Sequence, residues 1–259
     1  MENIAAQADA LSSALEEAVP EMAPAPDTVV KLMRGVYNKE LDTWETSAVV
    51  RELNGYDEEA LSSHDNKSTV YAEYMSFLLR RAVVSIGSVV IKDNPQIIDE
   101  IIIGDRDALF LGIIKATYGA TREYQVVCDS CNETNDVFVG VDEFPVRKAK
   151  HDLREPLKVA LKNGSEVSLR LPNGLDSKIV ATKGKTTPEQ NTIMLSRCVI
   201  GVDNAADWAR NLNMADRTEI INALLDAQPG PQIGEVKAPC AHCSEEMIIM
   251  LNWASLLFG

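Results

Sequence analysis

The residues of this sequence best suited to chemistry are four cysteines in two short pairs, Cys128-Asp129-Ser130-Cys131 and Cys240-Ala241-His242-Cys243. Two intervening residues let one tight turn aim both sulfurs of a pair at one ion. Thiolates are soft ligands that suit Zn²⁺ in a closed tetrahedral site. One such pair alone would also fit a redox dithiol. Two pairs, each set between strand-like stretches, point instead to structural Zn²⁺ held by Cys128, Cys131, Cys240 and Cys243. Two separate disulfides are the competing arrangement. Catalytic zinc is disfavoured, because four thiolates leave no position open for water or substrate. His242, inside the second pair, is expected to point outward. The fifth cysteine, Cys198, lies in an apolar helical run and reads as a buried thiol.

Other chemistry is hard to find. The chain has no Gly-rich phosphate loop, no GxSxG and no HExxH. His64, His151 and His242 stand at no metal-binding spacing from one another. Asp105-Arg106-Asp107 is the most suggestive polar cluster, since paired carboxylates beside an arginine can do acid–base work. A helix N-cap with a local ion pair accounts for the same residues. Asp57-Glu58-Glu59 reads as a solvated helix start, and Lys178, Lys183 and Lys185 as solvated surface. No catalytic residue and no cofactor other than zinc is assigned, and the chain reads as a non-enzyme.

The elements that must position the cysteines follow from pattern. Strand-like residues at 124–127 and 136–139 flank the first pair; 233–236 and 247–251 flank the second. Strand, CxxC turn, strand, twice over, outlines a zinc ribbon. More than a hundred residues part the two turns, so 132–239 must leave the ribbon and return. Upstream, 29–37 and 44–53 read as a hairpin, followed by a short helix from Gly55 and a longer one over 68–85. The stretch 105–118, opened by Gly104-Asp105-Arg106-Asp107 and closed by Gly119, is the clearest helix. A hairpin turning at Asn163-Gly164 and helices at 175–181, 188–199, 205–211 and 215–227 come next. No internal repeat is evident beyond the two CxxC turns.

The fold class is therefore α+β: a split zinc ribbon of two CxxC hairpins with a helical insertion, preceded by a β-hairpin and helices. Its parts are an N-terminal arm with a Pro-rich linker (1–26), a hairpin and helical region (27–120), the ribbon (121–145 with 232–259) and a mainly helical insertion (146–231). In the arm, Ile4, Ala8, Leu11 and Leu15 recur at helical spacing, and Pro20 to Pro26 form a stiff tether. With no docking site on its own body in view, the arm is expected to stand away from it, either as a tail that stays disordered or as a helix that packs on another subunit. The apolar end of the chain, 253–259, is expected to be buried in the fold or against a partner.

Composition bounds the partners. The 259 residues are 46% hydrophobic and 25% charged, as in ordinary globular proteins, and the formal net charge is −14. A protein that grips phosphates needs a basic stripe, so the acid excess argues against nucleic acid. No basic region followed by an apolar core opens the chain, and the longest apolar run, 83–91, is broken by Ser and Gly. No signal peptide or membrane span is read, and synthesis in a cytoplasm is expected.

The run from Gly104 to Gly119, followed by the Cys128/Cys131 turn, a helical stretch, the Cys240/Cys243 turn and a short apolar tail, resembles a family of tailed-bacteriophage baseplate proteins. These are the hub-associated group of contractile-tailed phages. The resemblance covers about residues 100–259. It implies a structural or assembly role in the virion tail, contacts with other tail or baseplate subunits in a multi-subunit assembly, and no catalysis. A zinc-ribbon adaptor or regulator in transcription or replication is the alternative. A basic surface would favour it; the net charge opposes it.

Overall fold

The computed structural model describes residues 28–64 and 70–259. The arm, 1–26, lies outside the described residues. Strands β1 (Val29–Asn38) and β2 (Thr43–Val50) form the expected antiparallel hairpin. Helices α1 (Gly55–His64) and α2 (Tyr71–Ala82) follow. The helix expected over 68–85 stops at Ala82. From there the β-branched Val83 and Val84 open strand β3 (Val83–Ile86), which pairs with β2. Strand β4 (Val89–Val90) closes this four-stranded sheet.

Helix α3 (Ile97–Glu100) leads to α4 (Ile103–Tyr118), the expected clear helix, which ends at Gly119 with φ 90°. Leu109, Phe110, Ile113 and Ile114 of α4 are fully buried, at the centre of the largest core cluster. Strands β5 (Thr121–Val127) and β6 (Thr134–Gly140) make the first cysteine hairpin. A single 3₁₀ turn at Val141–Glu143 and strand β7 (Val146–Arg147) follow.

Strands β8 (Leu157–Ala160) and β9 (Glu166–Leu169) pair across Asn163-Gly164 as expected. Helices α5 (Gly174–Lys183) and α6 (Thr187–Cys198) lead to β10 (Val199–Ile200), which pairs back onto β9. Then come α7 (Ala205–Asn211), α8 (Met214–Ala227), β11 (Gly230–Pro231) against β7, the second cysteine hairpin β12 (Glu235–Pro239) with β13 (Glu246–Met250), and α9 (Trp253–Phe258). The architecture is mixed α+β. No helix among the described residues is long and apolar enough to cross a membrane.

One expectation is overturned: the chain repeats itself well beyond the two CxxC turns. Strand β2, helices α1 and α2, and return strand β3 are matched by β9, α5, α6 and β10. Helices α2 and α6 are each 12 residues long. Arg51 donates its backbone N–H to Ala82 O at 2.9 Å, and Arg170 donates to Cys198 O at 2.8 Å. The sequence signature is Arg51-x-x-Asn54-Gly55-x-Asp57 and Arg170-x-x-Asn173-Gly174-x-Asp176. Few other residues are shared, and loop lengths differ between the copies, so no constant period marks the repeat.

Candidate metal centre

Each cysteine pair sits in a turn closed by the same two backbone bonds. Cys128 N–H donates to Glu133 O at 2.9 Å, and Asn132 N–H to Cys128 O at 2.8 Å. Cys240 N–H donates to Glu245 O at 2.8 Å, and Ser244 N–H to Cys240 O at 2.9 Å. Asn132 and Ser244 hold matching left-handed conformations, φ 59° and 62°. The turns are copies of one another, and they face each other. Cys128 Sγ lies 3.7 Å from Cys243 Sγ, and Cys131 Sγ lies 3.6 Å from Cys240 Sγ. All four sulfurs fall within 4.8 Å of one another and can hold a metal ion.

The donor set fits zinc on two counts. A tetrahedron with Zn–S bonds of about 2.3 Å has S···S edges of about 3.8 Å, close to the spacing of the facing pairs. The electrostatics agree. The backbone N–H of Cys243, with that of His242 and the Asn135 amide, pushes the Cys240 thiol down to about 6. At Cys131 the Glu133 backbone favours the thiolate, but burial and three neighbouring thiols together push it up to about 12. Four thiols this close cannot all ionise without a cation between them. His242 is exposed, as expected, and only its backbone N–H reaches the cluster, at 3.4 Å from Cys240 Sγ.

Packing holds the two turns in place. Val137 and Val139 of β6 and Met247 and Ile249 of β13 alternate inward, and all four join the α4 core cluster. Asn135 is buried among them, a residue the sequence reading passed over. Its Oδ1 accepts the Ala241 N–H at 2.8 Å, tying the first hairpin to the second turn. The signal was a polar residue on the inward face of an alternating strand. Cys198 lies apart from the cluster, buried as expected, and burial pushes its thiol up to about 12.

The other polar candidates are structural, in ways the sequence reading did not foresee. Asp105 is no N-cap. Buried in the first turn of α4, it accepts the backbone N–H groups of Met33, Arg34 and Gly35, the last at 2.8 Å. Those residues form a bulge in β1 between the pairs Lys31↔Ser47 and Val36↔Glu45. Gly35 has φ +72°, and a Cβ there would lie 2.0 Å from Glu45 O. Burial pushes the Asp105 carboxyl up against the pull of these N–H donors. Arg106 does not pair with it. It reaches Ile98 O and Ser76 Oγ and lies over Gly174, where a Cβ would meet its Nη1 at 2.3 Å.

Asp57 is likewise not solvated. Arg51 holds it through two bonds of 2.6 and 2.9 Å, and Arg81 adds a third at 2.9 Å. The Arg51 bonds, against burial, hold its carboxyl down at about 2. Asp176 has the same surroundings: Arg170 at 2.6 and 2.9 Å, and Arg197 at 2.6 Å. Lys178 is not free surface either; it pairs with Glu73 at 2.6 Å across the two repeats.

Residues 60–257 match the family of T4 bacteriophage base plate proteins. Searches among curated proteins and among solved structures found no match. The matched region spans most of the chain, and the chain belongs to that family. Membership carries a structural role in a phage baseplate, assembly with other tail proteins and a place in the virion tail.

Proposed function

We propose that this member of the T4 bacteriophage base plate protein family is a non-catalytic structural component of the baseplate hub, or of its assembly, held in shape by one Zn²⁺ in a split zinc ribbon. The observation that carries the zinc is the convergence of four sulfurs from two matching turns. Cys128, Cys131, Cys240 and Cys243 are the ligands. The ion neutralises their charge and ties together hairpins more than a hundred residues apart in sequence, so binding is linked to folding. The ribbon is built from 121–145 and 232–259, and the segment it encloses, 146–231, is the second copy of the repeated unit. The working contacts are protein–protein contacts with other tail or baseplate subunits. The excess of Asp and Glu suits docking on basic protein surfaces and repels nucleic acid.

Two measurements test this. Elemental analysis of the purified protein is expected to give one zinc per chain, with Cys128→Ser losing it; a metal-free, folded wild type would remove the zinc. Electron microscopy of native particles is expected to place the chain at the tail end. Its absence from the baseplate would remove the structural role.

A further inference from the structure

The second repeat has an apolar face left open where the first repeat's is covered. On the first, α9 lies across α2 and α4. The Trp253 ring packs against Tyr71 and Tyr74, with centroids 5.2 and 5.0 Å apart, and Tyr118 Oη donates to Leu257 O at 2.8 Å. Leu256 and Leu257 are buried in the same cluster as Tyr74, Leu78, Ile113 and Ile114.

The repeats can be aligned side chain by side chain. Arg106 bonds the carbonyl eight residues before it, Ser76 Oγ and Ala72 O. Arg217 bonds the carbonyl eight residues before it, Thr192 Oγ1 and Pro188 O. Ser76 and Thr192 each bond back to the carbonyl four residues earlier. This register sets Tyr74 on Gln190, Leu78 on Met194, Ile113 on Leu224 and Ile114 on Leu225. Ile114 is fully buried, whereas Leu225 is 60% exposed. Gln190, Met194, Leu224 and Leu225, with Val180 and Gln228, line a groove of about 210 Å³. Gln228 Oε1 is buried there with no donor among the described residues. Both hairpins and α9 pack in the first repeat's cluster and not in that of the second.

We infer that this groove is the seat of the protein's own N-terminal arm, residues 1–19, docked as a helix where α9 docks on the first repeat. The seat accepts a short apolar helix, because its counterpart holds one. The arm repeats apolar residues at Ile4, Ala8, Leu11 and Leu15. Its tether is long enough. Val30 touches Gly112 on α4, and Ile103, at the other end of that helix, lines the groove. Nine residues of helix span about 14 Å. The nine residues 20–28, rich in proline, extend to about 28 Å. Charge is compatible: the arm carries Glu2, Asp9, Glu16 and Glu17 and no Lys or Arg, while Arg147 stands at the rim and donates to Leu225 O at 2.8 Å. The sequence offered the arm no seat within reach, and the second repeat supplies one.

Hydrogen exchange read by mass spectrometry, on the full zinc-loaded chain and on a chain lacking residues 2–19, tests the inference. Truncation is expected to raise exchange several-fold at 191–194 and 221–225, with the cysteine hairpins unchanged. Met194→Glu in the full chain is expected to raise exchange at 221–225 and also in the arm. Unchanged exchange after truncation overturns the inference. So does protection that appears only with rising concentration and dimerisation by light scattering, which would make a second copy the occupant. Protection that appears only after other tail subunits are added would make the occupant a partner, and would overturn it equally.

Discussion

Asp105 shows how much a single side chain carries here. Its two oxygens take three backbone N–H groups of a strand bulge whose donors have no ladder partner on β2. Asparagine keeps one acceptor oxygen and turns an NH₂ toward the remaining donors. Asp105→Asn is expected to cost about 2–4 kcal/mol, since buried donors are left unsatisfied and a charge-assisted bond is lost. Urea unfolding measures it; a change within error would mean the bulge stands without the carboxylate. Asp57 makes a prediction in pH. Its carboxyl sits at about 2 in the fold against an ordinary 3.8. A lowered pKa means stability that is complete above the unfolded value and lost as pH falls through the folded one. The stability difference between wild type and Asp57→Asn is therefore expected to be constant above pH 4 and to shrink between pH 4 and 2. A difference unchanged down to pH 2 would show that Asp57 gains nothing from Arg51 and Arg81. The cysteines were legible in the sequence because metal chemistry is local. Asp57 and Asp105 were not, because their partners come from other elements.

At the scale of elements, legibility followed the caps. Helix α4 ends at Gly119, and the β8–β9 turn has Gly164 at φ +83°. These were readable because glycine tolerates the left-handed region at little cost. The end of α2 carries no such mark. There Val83 and Val84 pass from helical to extended backbone only because β2 waits beside them, a tertiary cause that periodicity does not see. Helix α9 is an element whose sequence says "apolar" but not "against what". Its Asn252 cap accepts two backbone N–H groups, and its Trp253 packs against the two tyrosines of α2. Trp253→Ala is expected to cost about 2–3 kcal/mol, below the full-core value because the ring is half-buried. Thermal unfolding checks this. The loss should be accompanied by faster exchange in α2 and none in α6; equal exchange in both would deny α9 its place as cover of the first repeat alone.

At the scale of the whole molecule, the two copies share a skeleton but bury separate main cores, joined by a small cluster in which Ile102 meets Leu171 and Ala227. The first repeat, both hairpins and α9 form one buried cluster; Leu195, Cys198, Ile220 and Leu224 of the second repeat belong to another. The metal centre draws one turn from after each copy and closes entirely on the first side. The second hairpin is thus covalently continuous with one repeat and packed on the other, and four sulfurs lock it there. Removing the metal leaves thiols that no longer tie the turns together, and the hairpin is then held by the Asn135 bond to Ala241 and by its apolar residues, Met247 and Ile249 among them. The second core uses neither. Chelation is therefore expected to raise exchange in β5, β6, β12, β13 and α9 while residues 195–198 and 220–224 stay protected, and to split one calorimetric transition into two. Collapse of both cores together on chelation would mean that the repeats depend on the metal as one cooperative unit. The contacts between the repeats would favour that outcome, but they lie only at the boundary. Lys178 with Glu73, Arg106 laid over the buried Gly174, and Ile102 packed with Leu171 and Ala227 join the repeats there, and none of these residues belongs to the second core.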